Sequence, residues 1–152
     1  MSMMKTLADA YRPAIWLDEQ ILAPVVNLAL RLWVSWVFFK SGLTKIQSMD
    51  TTIMLFEYEY SVPLLPPDIA AYLGTGAELV LPVLLAFGLA GRFAAVALFV
   101  FNIIAVVSYP DLNAVGKVWH YAWGLAMVPA MLYGPGAISV DHFLKRKLMS
   151  EA

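Results

Sequence analysis

Four apolar runs, residues 24–43, 69–89, 93–109 and 118–137, take up most of the chain. Each is about 17–21 residues long, the length at which a helix rising 1.5 Å per residue crosses roughly 30 Å of hydrocarbon. With 61% hydrophobic and 14% charged residues in 152, a water-soluble domain would have no interior large enough to hide this surface. The runs predict an all-α membrane protein, a bundle of four transmembrane helices with a long first outward loop. Lipid is then the solvent for most of its surface, and every polar group left inside a span needs a partner.

The rest of the composition narrows the function. Net charge is −1, and no basic stripe with interleaved aromatics suggests nucleic acid as a partner. Cysteine is absent, which excludes disulfides, a CxxC redox pair and thiolate metal sites from this chain. Together with the scarcity of histidine, this predicts no intrinsic haem, iron–sulfur or other metal centre. Lys5, Asp9, Arg12, Asp18 and Glu19 interrupt the start of the chain, so a cleavable leader is not expected. Residues 1–23 read instead as a cytoplasmic juxtamembrane segment, with Leu7, Tyr11, Ile15 and Trp16 as an interfacial stripe or part of a frayed tail. Residues 24–143 form the membrane domain and 144–152 a basic cytoplasmic tail. Both termini share a side with the 88–92 turn, and that side carries Lys5, Arg12, Arg92, Lys145, Arg146 and Lys147. Lys45 and Lys117, with Lys40 near them, face the other side, so the positive-inside rule places both termini in the cytoplasm.

The long connection, residues 44–68, is expected to be structured and functional rather than a spacer. Ser48 is placed to cap a short helix running to Tyr60, which Pro63, Pro66 and Pro67 must break. Glu57 and Glu59 bracket Tyr58 on this loop and are candidates for docking a partner or binding a cation at the outer face, against a plain solubilising role.

Inside the spans, charge is rare. Arg31 and Glu78 sit well within the first and second runs, where a charge costs about 2.5–3.5 kcal/mol on insertion scales. Such residues turn toward the bundle interior and pair. Arg31 from the inner side and Lys40 from the outer side are both within reach of Glu78, although positions 31 and 40 lie about 180° apart on a helix. Asn27, Arg31, Ser35 and Gly42 share one face of the first span; Gly74, Glu78 and Pro82 share one of the second. Asn102, mid-way along the third span, completes a polar centre of Arg31, Lys40, Glu78 and Asn102. It reads either as a site for a headgroup, quinone or proton or as a structural ion pair that fixes register. His120 opens the fourth span at the outer boundary. With Gly124, Met127 and Met131 on its face it permits a soft-metal path, against methionine as packing.

Three stretches carry a family likeness. Residues 31–45, RLWVSWVFFKSGLTK, resemble the first span of DoxX-like membrane proteins. The region of Glu78 through the turn 87–92, FGLAGR, is similar to their second span and turn, and 134–141, GPGAISVD, to their closing motif. In order and spacing the likeness covers residues 25–143. It implies a four-helix bacterial inner-membrane protein. Relatives are linked to membrane oxidoreductase complexes, including a thiosulfate:quinone oxidoreductase subunit and a redox-defence assembly, and others to maturation of copper-associated modified peptides. No catalyst is carried over: Arg31, Lys40, Gly42, Lys45, Glu78, Gly88 and Arg92 are motif positions.

The expectation is a small, multi-pass inner-membrane subunit of a redox or quinone-linked assembly. It would have no cofactor of its own beyond a candidate quinone, and a protein partner or a second copy beside it in the bilayer. A non-catalytic accessory protein docking through residues 44–68, and a small transporter or metal-handling protein using His120, Met127 and Met131, are the alternatives.

Overall fold

A computed structural model describes residues 3–150, with side chains from residue 9 onward, so Leu7 of the interfacial stripe lies outside the described side chains. Every regular element among the described residues is helical. Helix α1 (Met3–Leu17) runs through one π-helical turn, Asp18–Leu22, into α2 (Ala23–Ile46) without a break. The widened turn has a local cause. Pro24 carries no N–H and its ring crowds the carbonyl one turn back, so the ladder slips where proline interrupts it. The juxtamembrane segment is thus the first part of a long helix. Its Tyr11, Ile15 and Trp16 are exposed.

Helix α3 (Met49–Tyr58) begins where its cap predicts, with the Ser48 hydroxyl accepting from the Thr51 N–H at 3.3 Å. Pro67 opens α4 (Pro67–Phe87), in the first-turn position where its missing N–H costs nothing. That helix ends at Gly88, whose φ of +65° suits a residue without a side chain. Helix α5 (Gly91–Ser108) follows after a tight turn. The Asn113 side chain caps α6 (Ala114–Tyr133) by accepting from the Gly116 N–H at 2.8 Å. The basic tail belongs to an exposed helix, α7 (Val140–Ser150).

Helix α4 returns antiparallel to α2 after the connection that carries α3, and short turns make α5 antiparallel to α4 and α6 to α5. Packing runs in a closed circuit from α2 to α4, α5, α6 and back to α2, while α3 lies on the first turns of α4. The core is built from Val34, Phe38, Leu85, Leu98 and Met127 with small residues Ala94, Ala95 and Ala130 between them. Gly42 lets α2 and α4 cross closely: a Cβ there would lie 3.0 Å from the main chain and Cβ of Glu78. Small residues at such crossings let helices meet without a hydrophobic driving force. Outward faces are apolar, with Leu73, Val80, Phe93, Val107 and Leu125 exposed. The helical stretches Asp9–Ile46, Pro67–Phe87 and Gly91–Ser108 are long and apolar enough to cross a membrane. Helix α6 is 20 residues long but less apolar, because Lys117, His120 and Pro129 fall inside it.

Candidate functional site

Two polar sites lie at opposite ends of the helices, and Arg31 and Glu78 belong to different ones. Arg31 is 2% exposed, yet its guanidinium faces carbonyls rather than a carboxylate. Nη1 donates to the Leu85 and Ala86 carbonyls at 3.2 and 3.3 Å, and Nη2 to the Ile138 carbonyl at 2.6 Å. The last carbonyls of a helix have no partner within it and carry the negative end of its dipole. Arg31 therefore caps α4 and ties it to the segment before α7. Asp141 completes the clasp by accepting from the Ala90 and Gly91 N–H groups, both at 2.8 Å, at the positive end of α5. The expected Arg31–Glu78 pair does not form. Antiparallel packing sets Arg31 level with Leu85, about 10 Å further along α4 than Glu78.

The partner of Glu78 is Lys45. Its ammonium donates to both carboxylate oxygens at 2.6 Å, and the Ser41 hydroxyl donates to one of them at 3.2 Å. The two side chains are 6% and 14% exposed, so the pair is held largely away from water. Helix α2 runs past Gly42 to Ile46, which puts Lys45 on the inward stripe with Arg31, Phe38 and Gly42. Lys40, the other expected partner, is exposed on the opposite face and takes no part.

Asn102 is buried, and it joins His120 rather than the charged pair. Its Nδ2 donates to the His120 carbonyl at 3.0 Å and its Oδ1 lies 2.7 Å from His120 Nδ1. Between these two polar units opens a cavity of about 530 Å³, lined by Ser41, Lys45 and Glu78 on one side and His120 and Trp123 on another. Aromatic rings form much of its wall: Tyr60 stacks on Phe56 at 4.8 Å and on Tyr109 at 5.0 Å. The Ser61 N–H donates to the Ser108 carbonyl at 2.7 Å, which latches the chain after α3 across this end. Burial, with the charge of Glu78 added, raises the Tyr60 phenol above its ordinary range, so it stays a hydrogen-bond donor. Ser108 Oγ and Trp123 Nε1, on residues that line the cavity, are themselves fully buried and have no hydrogen-bond partner among the described residues.

Other candidates stand apart. Glu57 and Glu59 are exposed on and just after α3, away from the Lys45–Glu78 pair. Met127 is 1% exposed in the main core and Met131 packs against that core, so both serve as packing. No cluster of three or more His, Cys, Asp or Glu suited to a metal occurs among the described residues. The sequence reading missed Lys45, Ser41, Tyr60, Ser108 and Trp123 as site residues. Only Lys45 carried a signal, its heptad spacing from Arg31 and Phe38.

Apolar outer faces around buried polar groups and a partly open cavity define an all-helical membrane protein. The DoxX family profile matches residues 26–110, more than half of the chain. A protein of Haemophilus influenzae described as uncharacterized is 34% identical over 128 residues, covering 78% of this chain and 83% of the relative. No solved structure matches. The chain belongs to the DoxX family. Arg31, Lys45, Glu78 and Asn102 lie within the matched stretch, while His120, Trp123 and Asp141 lie beyond it.

Proposed function

We propose that this protein is a small subunit of a redox-linked membrane assembly and binds a quinone-type ligand in the cavity beside Lys45 and Glu78. In this reading α6 is a fourth crossing. Its lower hydropathy reflects residues that face the cavity and the aromatic belt rather than lipid. The Arg31 end, with Arg92 and the basic α7, faces the cytoplasm of a bacterial inner membrane, both termini included, and the cavity lies toward the opposite leaflet. A protein partner takes or supplies the electrons. This chain contributes binding, orientation and exclusion of water.

The observation that carries the reading is the cavity itself. Its volume falls within the range of small-molecule sites, its walls are aromatic and aliphatic, and a few polar groups converge on it. A quinone head is a flat ring with oxygen atoms on opposite edges. It suits stacking rings such as Tyr60 and Tyr109 with hydrogen-bonding groups at the margins. The exposed Glu57 and Glu59 offer no comparable enclosure.

A titration of the purified protein in lipid nanodiscs with a short-chain benzoquinone tests this, read by quenching of tryptophan fluorescence. Saturable quenching is expected. It should be lost in Ala105→Trp, which fills the cavity from α5, and kept in the surface variant Glu57→Gln. Quenching that is linear, or unchanged by the filled cavity, contradicts the proposal.

A further inference from the structure

The Asn102–His120 contact determines in what form the imidazole is held beside the cavity. A carbonyl oxygen only accepts, so the Asn102 group 3.0 Å from the His120 carbonyl is the amide NH₂. That leaves Oδ1, also an acceptor, 2.7 Å from His120 Nδ1. The ring nitrogen there must carry a proton. In the neutral ring Nε2 is then left with a lone pair. Among the described residues no donor meets Nε2, and His120 lines both the cavity shared with Lys45 and Glu78 and a smaller pocket beside Asn102 and Gly124. The ring is further fixed edge-on to Trp123, with centroids 4.8 Å apart.

We infer that His120 is a hydrogen-bond acceptor for a ligand hydroxyl, so that the cavity prefers the reduced, hydroquinone form of its ligand to the oxidised quinone. The inference rests on the quinone-type reading above and adds to it a redox-state preference. A hydroquinone presents O–H groups and a quinone only acceptor oxygens. Facing Nε2, the first forms a hydrogen bond and the second sets two lone pairs against each other. The other end of the ligand meets donors instead. The Lys45 ammonium and the Tyr60 hydroxyl, on residues that line the same cavity, are such donors. Each ligand oxygen can accept there while the far hydroxyl donates to His120. Asn102 is a positioning residue: it fixes the ring without touching the ligand.

Two measurements on the full chain in nanodiscs test this. Nitrogen-15 NMR of labelled histidine reports the tautomer directly, and only His120 and His142 contribute, so His142→Gln assigns the spectrum. The Nδ1–H form is expected for His120, shifting toward a mixture in Asn102→Leu. Anaerobic binding of one short-chain benzoquinone and its hydroquinone should favour the hydroquinone by about tenfold, the upper end of one net hydrogen bond. The preference should fall to about one in His120→Phe, which keeps the ring packing on Trp123. An Nε2–H tautomer overturns the inference. So does equal affinity for the two forms in the wild type, which leaves quinone binding itself standing. Binding of neither form overturns both.

Discussion

Lys45 and Glu78 meet with the ammonium 2.6 Å from each carboxylate oxygen, across a helix crossing that Gly42 brings close. A pair this enclosed is held by mutual compensation. Taking one partner away strands the other charge, at about 3–5 kcal/mol. Lys45→Met is therefore expected to destabilise strongly, and Lys45→Met with Glu78→Gln much less. Unfolding of the single and double variants in detergent checks this, and additive losses would show that the pair is uncoupled.

Arg31 acts at the other end through geometry. Its forked donors reach three carbonyls; Leu85 keeps a bond from the Gly88 N–H, but leaving the Ala86 and Ile138 carbonyls unpaired costs about 1–3 kcal/mol each. Arg31→Met should lower stability by several kcal/mol. Arg31→Lys should recover only part of that, because an ammonium cannot span carbonyls on two segments as the guanidinium does. The same unfolding measurement decides it: full recovery by lysine would mean that charge alone matters. Quinone binding should survive in whatever fraction of either variant folds.

Gly42 and Gly76 form an internal control. Nothing lies within 4 Å of a Cβ at Gly76, whereas one at Gly42 would meet the Glu78 main chain and Cβ at 3.0 Å. Alanine at position 76 should be neutral or stabilising by up to about 1 kcal/mol, from helix propensity. At position 42 it should cost about 1–3 kcal/mol and displace Glu78. Thermal stability of the two variants side by side reads the difference.

Tyr60 gives a pH signature. Its phenol is raised in the folded protein, so the unfolded chain releases that proton first. The stability tied to this proton is complete below the ordinary phenol value of about 10 and is lost as pH rises through the folded value. Tyr60→Phe should flatten the alkaline decline. Absorbance titration should show one late-titrating phenol missing in that variant.

Much of this arrangement was visible in residue spacing. Arg31, Ser35 and Gly42 on one helix, and Gly74, Glu78 and Pro82 on another, repeat at helical intervals, and the structure buries them. The Ser48 cap and the Gly88 turn follow from local backbone chemistry. Pairing was harder to read. Depth and sign match Glu78 with Arg31 or Lys40, the charges inside the runs, but a helix end also offers a cation several carbonyls. Lys45 reads as a loop charge because hydropathy stops near residue 43, while the helix continues to Ile46. Ser108 and Trp123 look like ordinary span residues. Their lack of partners is a property of three-dimensional packing and leaves no trace in spacing.

The claim on which the functional account depends is that a quinone ring sits in the cavity beside Lys45, Tyr109 and Trp123. Photolabelling the protein in nanodiscs with an azidoquinone, followed by peptide mass spectrometry, measures that position most directly. Labels should fall on peptides holding Tyr60, Tyr109 or Trp123 and vanish with excess unlabelled quinone. Labels confined to lipid-facing residues such as Val80 or Leu125, or indifferent to competitor, would contradict it.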